Sequence, residues 1–359
     1  MLIELIASDQ VLEQAYLWMC EKRAHHHFNS DVWQVRRWWD EKKPLLQQQL
    51  RTGTYQFREL RRVWGQDQLV DYWSSLDALV LKAIAMVLTN HLKPHLSDRV
   101  FHLAGSGGMK GAVRDVAANL SDHEFVFRTD VKGYYASINH HILMEIVGRY
   151  VNEHAVLALL WGYLRRYVSD GGKFIDITQG ISLGCPLSPL MGALYLKPLD
   201  DRLAPLLGGA GGGLGCFYAR FMDDWVVLAP TRWKLRKAIK AVNEVMAELR
   251  VQKHPDKTFI GRIAKGFDFL GYWFTPTGLG VAIKTVSRMQ DKVFRLDEQG
   301  ADQQRIETYL KRWWQWVRSG IDVALSDCVS FVLGLRWCFT LHFGRTLQER
   351  PLLTKYVRT

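Results

Sequence analysis

Apolar positions recur at three- and four-residue spacing through Val32, Val35, Trp38 and Trp39, and again through Leu79, Val80, Ile84 and Val87. That period predicts that residues 1–100 are mostly helical. One stretch breaks it: RTGTYQFRELRRVWG (51–65) reads as a turn followed by alternating residues, a short hairpin carrying Arg58, Arg61 and Arg62. FHLAGSGGMKGA (101–112) reads as a glycine-rich loop, and FVFRTD (125–130) as a short strand ending in an acid. Residues 139–168 are predicted helical, and ISLGCPLSPLMGALYLKPLDDRL (181–203) begins as a loop and becomes a helix. GGAGGG (208–213) is a glycine link. CFYARFMDDWVVLAP (216–230) has a hairpin pattern of apolar strand, acidic pair and apolar strand. Residues 231–250 predict a basic amphipathic helix, and FDFLGYWF (267–274) a strand pair turning at Gly271. From about residue 284 the pattern is helical again and includes the basic-aromatic run YLKRWWQWVR (309–318). No internal repeat is visible. Strands alternating with helices, with helical segments at both ends, predict an α/β or α+β fold.

Charge adds a partner to this outline. Of 359 residues, 47 are Lys or Arg and 36 are Asp or Glu, a formal net charge of +11. With 48% apolar and 23% charged residues the composition is globular and excludes wholesale disorder. The length suits roughly two domain-sized units. The excess of cations points to a polyanion, either nucleic acid or an acidic membrane surface. The five cysteines, Cys20, Cys185, Cys216, Cys328 and Cys338, are odd in number and form no CxxC pair. That argues against a disulfide scaffold or a structural zinc site and fits a reducing cytoplasm. MLIELIASDQ is not a signal peptide, and no uninterrupted apolar run approaches the ~20 residues of a membrane helix. A soluble cytoplasmic protein without a membrane partner is expected, and nucleic acid becomes the favoured polyanion.

Two acidic positions carry candidate chemistry. Asp130 closes an apolar strand and is followed by Val-Lys-Gly-Tyr-Tyr; Asp223 and Asp224 lie between two apolar strands. A buried acidic pair is costly unless a cation neutralises it, and hard divalent ions prefer carboxylate oxygens. A strand end and a hairpin turn can together put three carboxylates on one edge of a sheet, which suits two Mg²⁺ ions roughly 4 Å apart in phosphoryl transfer. An Asp-Asp pair is equally ordinary turn chemistry when it stands alone.

The surrounding motifs favour the first reading. Phe221-Met222-Asp223-Asp224 resembles the catalytic box of reverse transcriptases, usually Tyr-x-Asp-Asp, with Phe221 as a small departure. Asp130-Val131-Lys132-Gly133-Tyr134-Tyr135 resembles their first catalytic motif, and Gly184-Cys185-Pro186-Leu187-Ser188-Pro189 their loop-to-helix motif. His254-Pro255-Asp256-Lys257-Thr258, followed by Phe269-Leu270-Gly271-Tyr272, is similar to the next two palm motifs. The five motifs run in order over about 101–275 and look closest to bacterial enzymes of the group II intron and retron kind.

The resemblance implies an α+β right-hand polymerase. Its expected parts are amino-terminal helices and fingers at 1–124, a palm at 125–283 with finger elements interleaved at 140–180, and a helical thumb with the carboxy-terminal segment at 284–359. It implies that Asp130, Asp223, Asp224 and the Val131 carbonyl hold two Mg²⁺ ions, with Mn²⁺ as the alternative. Tyr135 matches the ring that rejects a 2′-hydroxyl, and Lys257 the proton donor to pyrophosphate. Gly184, Ser188 and Pro189 would shape the surface met by template and incoming base. Leu183 stands where the family usually has Gln, and Gln179 is a shifted candidate.

Basic surfaces follow from the same resemblance. Arg58, Arg61 and Arg62 are candidates for gripping the dNTP triphosphate, and Lys110 and Arg114 for approaching a phosphate chain. In the basic-aromatic segments 232–240 and 309–318, Lys311, Arg312 and Arg318 are expected to touch nucleic acid, while Trp313 and Trp316 have the spacing of a core face. His25, His26 and His27 point different ways on a helix and read as surface rather than as a metal tract. The stretch after the thumb is too short for a maturase tail or a ribonuclease H domain. No retron Val-Thr-Gly is present, and Ser188-Pro189 departs from the Ser-Gln of diversity-generating elements. A stand-alone bacterial reverse transcriptase is therefore expected, with a structured non-coding RNA template and a DNA product. A second protein, self-association and a role in defence against phage are compatible with it. The rival readings are an RNA-dependent RNA polymerase, against which the bulk of Tyr135 argues, an RNA-binding subunit of a larger complex, and template-independent or protein-primed DNA synthesis.

Overall fold

Burial of the apolar stripes organises the amino-terminal third. The computed structural model describes residues 1–64, 69–208 and 215–320; all of the glycine link except Gly208, and the segment beyond 320 with Cys328 and Cys338, lie outside the described residues. Helices α1 (Leu2–Ile6), α2 (Asp9–Lys22), α3 (Asp31–Arg37) and α4 (Trp39–Thr52) precede the strands β1 (Leu60–Trp64) and β2 (Leu69–Tyr72), and the long helix α5 (Ser75–Leu92) follows them. α5 is buried nearly all round, with α1, α2 and α3 packed on it. By length and composition α5 could cross a membrane, but 67% of it is buried inside the fold, as in the core helix of a globular protein. Its amino terminus is capped by Ser74, whose hydroxyl accepts from the Asp77 amide at 3.1 Å. Asp77 in turn accepts from the Tyr55 hydroxyl at 2.6 Å and the Arg58 amide at 3.2 Å, which fixes the chain entering β1.

Three boundaries differ from the sequence reading. The expected hairpin at 51–65 is displaced: α4 runs on to Thr52, and β1 pairs antiparallel with β2. The helix expected through 168 ends earlier. α8 (His140–Gly148) and α9 (His154–Leu164) are followed by a hairpin of β4 (Tyr167–Asp170) and β5 (Lys173–Asp176), after β3 (Phe125–Asp130) and the short α7 (Tyr134–Ser137). β4 pairs parallel with β1, so a four-stranded sheet has the order β2-β1-β4-β5. The apolar period of α9 masks its end, while the hairpin signal, Asp-Gly-Gly at 170–172, is only three residues long. The glycine-rich stretch is not all loop either, since α6 (Gly108–Ala118) begins inside it.

The central sheet is antiparallel with the order β6-β7-β3-β8, where β6 is Phe217–Phe221, β7 is Asp224–Ala229 and β8 is Phe259–Arg262. Its two faces follow from strand alternation. One face carries Phe127, Tyr218, Trp225, Val227 and Ala229, and joins the main core with α10 (Ser188–Tyr195), α11 (Lys197–Leu203) and α12 (Arg232–Glu248). The other carries Val126, Arg128, Asp130, Asp224 and Val226. It faces α6 and a three-stranded sheet of β9 (Phe267–Phe269), β10 (Tyr272–Thr275) and β11 (Gly278–Val281). The chain divides into two compact units, Met1–Val286 and a second starting at Ser287. Helix α13 (Ile283–Glu298) leads into the second unit, whose next helix is α14 (Gln303–Arg318), capped where the Asp302 side chain accepts from the Arg305 amide at 2.7 Å.

The first face buries a charge pair. Arg220 on β6 is 0% exposed and Asp200 on α11 is 3% exposed. Arg220 donates to Asp200 through Nε at 2.8 Å and Nη2 at 2.5 Å, and the Tyr218 hydroxyl adds a third bond to the same carboxylate at 2.8 Å. Burial by itself lowers the Arg220 pKa, but the charge of Asp200 outweighs it and the net shift is upward. Removing one member of such a pair strands the other charge and costs about 3–5 kcal/mol, whereas removing both leaves no lone charge. Urea unfolding should therefore show Asp200→Leu to be more destabilised than the charge-free double variant Asp200→Leu/Arg220→Met.

Candidate active site

The register of the central sheet sets the site. β3 and β7 pair so that Asp130 lies directly opposite Asp224. β6 and β7 close through a two-residue turn of Met222 and Asp223, since Phe221 pairs with Asp224. Met222 has φ +57°, unusual for a residue with a side chain, and the turn is held from both sides. Its amide donates to Nδ1 of His102 at 3.0 Å, and its carbonyl accepts from Nη1 of Arg220 at 2.9 Å. His102 uses its other ring nitrogen on the Pro189 carbonyl at 3.2 Å. Burial, then the charge of Arg220, pushes the His102 pKa down to about 4, so the ring is neutral and both bonds are compatible with one tautomer. The segment that carries His102 runs parallel beside β6, with the Arg220 amide bonded to the Arg99 carbonyl and the Phe101 amide to the Arg220 carbonyl, each at 2.9 Å.

The three carboxylates face few cations. One Asp130 oxygen accepts from the Lys257 ammonium, and the other is buried without a hydrogen-bond partner among the described residues. The Asp130 carbonyl accepts from the His254 amide at 2.8 Å. One Asp224 oxygen is buried and likewise unpartnered; the nearest cation is Nε of Arg128, at 3.6 Å, whose Nη1 is drawn to Asp268 on β9 at 3.1 Å. Burial, with a further push from Asp130 and Asp223, carries Asp224 up to about 7 against the pull of Arg128. Asp223 is also raised, by burial and by the charge of Asp130. The Tyr135 hydroxyl is buried without a hydrogen-bond partner among the described residues, and burial together with Asp223 raises its pKa.

Those unpartnered oxygens test the site for a cation. Among the described residues no three His, Cys, Asp or Glu side chains already form a metal cage. Lys257 holds one oxygen of Asp130. Even so, two buried carboxylate oxygens with no donor, beside a third carboxylate, are the donor set a hard divalent ion uses. Val131 is buried, and its bridge to Lys253 is made by its neighbours, Asp130 through its carbonyl and Lys132 through its amide.

Tyr135 is positioned by glycines. Gly180 has φ +85°, and a Cβ there would lie 3.0 Å from the Tyr135 carbonyl oxygen. Gly192 on α10 lets both Tyr134 and Tyr135 rings approach to 3.3 Å of where its Cβ would stand. The Ile181 amide bonds to the Tyr135 carbonyl at 2.8 Å.

Other expected residues fall in varied places. Gly184 is exposed in its loop with φ +73°, and Pro189 presents its carbonyl to His102. Ser188 is a correction to a surface role: it is 1% exposed, and its hydroxyl bonds to the Ser182 carbonyl at 2.6 Å and to Tyr163 at 2.7 Å. Gln179 donates to the Ser137 carbonyl at 2.9 Å and so helps fix the turn after Tyr135. Arg58 and Arg61 are exposed, whereas Arg62 is tied to Asp71 at 2.9 Å and approaches Asp170 at 3.6 Å. Lys110 and Arg114 sit on α6 rather than on a loop, and the Lys110 ammonium donates to the Tyr272 hydroxyl and lies 4.6 Å from its ring centroid. Burial and Arg114 push Lys110 down to about 8. In the second unit, Lys311, Arg312 and Arg318 are exposed and Trp313 and Trp316 are partly buried.

Three contributors escape the sequence reading. Arg220 and Arg128 sit on strands at the alternation positions of core residues, where a lone Arg reads as solvated. Arg220 lies three residues before Asp223, and Arg128 two before Asp130. Alternation could have placed Arg128 beside Asp130, but its acid partner Asp268 is remote in sequence. His102 gives no local signal, because its partners are backbone groups of distant segments.

Comparison with known proteins follows the same lines. The family described as "Reverse transcriptase (RNA-dependent DNA polymerase)" matches residues 74–274, more than half of the chain. Protein YkfC of Escherichia coli is 23% identical over 265 residues, which cover 64% of this chain and 70% of YkfC. The group II intron-encoded protein LtrA of Lactococcus lactis is 21% identical over 173 residues, 46% of this chain and 29% of LtrA. A solved Cas6-RT-Cas1--Cas2 complex aligns with a TM-score of 0.43 at 19% identity, covering 69% of this chain and 42% of that one. Candida tropicalis telomerase aligns with a TM-score of 0.45 at 13% identity, covering 56% and 45%. With its mixed helices and sheets of right-hand polymerase type, the central sheet antiparallel, and with the family match over most of the motif-bearing region, the chain belongs to the reverse transcriptase (RNA-dependent DNA polymerase) family.

Proposed function

We propose that this chain is a reverse transcriptase that copies a structured RNA into DNA by two-metal nucleotidyl transfer at Asp130, Asp223 and Asp224. The observation that carries this reading is the pairing of Asp130 with Asp224 across adjacent strands, with Asp223 in the turn between β6 and β7 and two carboxylate oxygens buried without donors. Reverse transcriptases use divalent metal ions; here Asp130, Asp223, Asp224 and the Val131 carbonyl would hold them. When bound, Mg²⁺ or Mn²⁺ lowers the pKa of a primer 3′-hydroxyl and offsets the charge of the triphosphate and of the leaving pyrophosphate.

The side chains of the chain itself do the rest. His102 and Arg220 hold the Met222–Asp223 turn so that the acids meet a ligand at fixed positions. Lys257, already on Asp130, keeps a proton at its Nζ within reach of the reaction centre and would release it to pyrophosphate. Tyr135, packed against Gly192, would place its ring where a 2′-hydroxyl would sit and so favour dNTPs over NTPs. Arg58 and Arg61, exposed and without a salt bridge among the described residues, would grip the triphosphate, with Arg62 committed to Asp71. The template we propose is a cognate structured RNA. The setting we propose, defence against phage, rests on resemblance to stand-alone bacterial enzymes and not on any residue.

Three outcomes check this reading. The variant Asp223→Ala/Asp224→Ala should lose primer extension on an RNA template while retaining RNA affinity in a filter-binding assay; extension that survives would sink the mechanism. Tyr135→Ala should raise incorporation of NTPs relative to dNTPs by about tenfold or more, read by competition on a single template. The third concerns pH. The Asp224 carboxyl is raised in the folded protein, so its contribution to stability is full below the unfolded carboxyl pKa near 4 and is lost as pH rises through about 7. In EDTA, Tm should therefore fall between pH 5 and 8, and added Mg²⁺ should raise Tm more at pH 8 than at pH 5.

A further inference from the structure

The outer face of α12 has no part in the catalytic reading. Its inner face is settled: Leu235, Ala238, Val242, Val245 and Met246 are buried against the central sheet. That contact is on the Phe127 and Trp225 side, opposite the side on which Asp130 and Asp224 lie. Outward, Trp233, Arg236, Lys237 and Lys240 follow each other at three- and four-residue spacing and form one stripe. Trp233 is 57% exposed, and the Lys237 ammonium lies 3.8 Å from its ring centroid. The cation fixes the indole in the open rather than in a core.

The charges make sense only with an external partner. Residues 232–240 hold five cations, Arg232, Lys234, Arg236, Lys237 and Lys240, and no acid. They occupy the amino-terminal half of the helix, where the backbone dipole disfavours positive charge. Arg232, Arg236 and Lys240 are also spaced four apart, so they repel one another. The two acids of α12, Glu244 and Glu248, are in its second half, and both turn to Arg202, at 3.2 and 3.0 Å. Among the described residues, Lys240 alone of the five has a carboxylate in reach, Glu244 at 3.9 Å. Local stability would select against this array.

We propose that the outer face of α12 is an anchoring site for single-stranded RNA, separate from the path of the strand being copied. Phosphates would lie along Arg232, Arg236, Lys237 and Lys240, and a base would stack on Trp233. Cations flanking an exposed indole suit this ligand, since the cations replace counterions and the ring accepts any base. Because the site lies on the far side of the sheet from the carboxylates, one part of an RNA could be held there while another part is copied. The proposal goes beyond the polymerase reading and depends on it only for the choice of RNA as the polyanion.

The test uses the full chain and a labelled oligo(U) of about 20 nucleotides, followed by fluorescence anisotropy at several salt concentrations. The variant Arg236→Gln/Lys237→Gln/Lys240→Gln should weaken binding by about tenfold or more. The slope of log affinity against log salt should fall by about 2, or about 0.7 for each cation removed. Trp233→Ala should weaken binding by about fivefold or more and leave the slope unchanged. Extension of a saturating preformed template–primer should stay within about twofold of wild type in both variants, and the Tm of the triple Gln variant should not fall, because repulsion is relieved. Unchanged oligo(U) affinity in both variants would overturn the proposal. So would a parallel loss of extension, which would place the strand in the catalytic path, or a loss confined to binding of phosphatidylserine vesicles. The Asp223→Ala/Asp224→Ala variant should bind oligo(U) like wild type, so that failure here is distinguishable from failure of the catalytic reading.

Discussion

The ion pair between Arg220 and Asp200 is the constraint on which the hairpin of β6 and β7 depends. Arg220 has four acceptors, the two Asp200 oxygens and the carbonyls of Ala193 and Met222, so one side chain ties α10, α11 and the turn of Met222 and Asp223 together. A guanidinium is suited to this, because its donors form a rigid planar fork and it stays charged when buried. The cost of desolvating it is offset only because Asp200 and the two further carbonyl contacts are all in place. Once Arg220 is fixed, strand pairing carries its position to Asp224 and then across the ladder to Asp130.

The site that results is deliberately short of positive charge. Three carboxylates crowd one edge of the sheet, while Lys257 pairs with Asp130 and Arg128 is shared between Asp224 and Asp268. Burial first, and then the charge of the neighbouring acids, pushes Asp224 and Asp223 upward. A protein that needed these acids only for turn geometry would gain stability by replacing one of them. Retaining all three fits a site completed by divalent cations from outside the chain. The neutral His102 belongs to the same economy: it supports the turn through hydrogen bonds without adding charge beside the acids.

Much of this was legible along the chain. The strand ending at Asp130 and the hairpin around Asp223 and Asp224 both form where apolar alternation puts them, because alternation reports burial directly. The basic amphipathic period of 231–250 likewise becomes α12. Legibility fails where a signal is short or shared. The Asp-Gly-Gly turn of β4 and β5 was hidden behind the strong helical period of α9, and the Ser-Pro of the loop-to-helix motif gave no sign that Ser188 faces inward towards Tyr163. Arg62 looked equivalent to Arg58 and Arg61 until β2 brought Asp71 beside it.

By itself, then, the order of residues determined most element types and the family, and singled out three acids as candidates, since these rest on local periodicity and on motifs a few residues long. Only the tertiary structure decided which charges are free. Arg220 could be recognised as a clamp, His102 as a neutral brace and Arg128 as a divided partner only once strands and helices distant in sequence were packed together. The physical reason is that burial and pairing are properties of neighbours in space. A hydrophobic period fixes which way a side chain points, but the free energy of a charge depends on what lies opposite it.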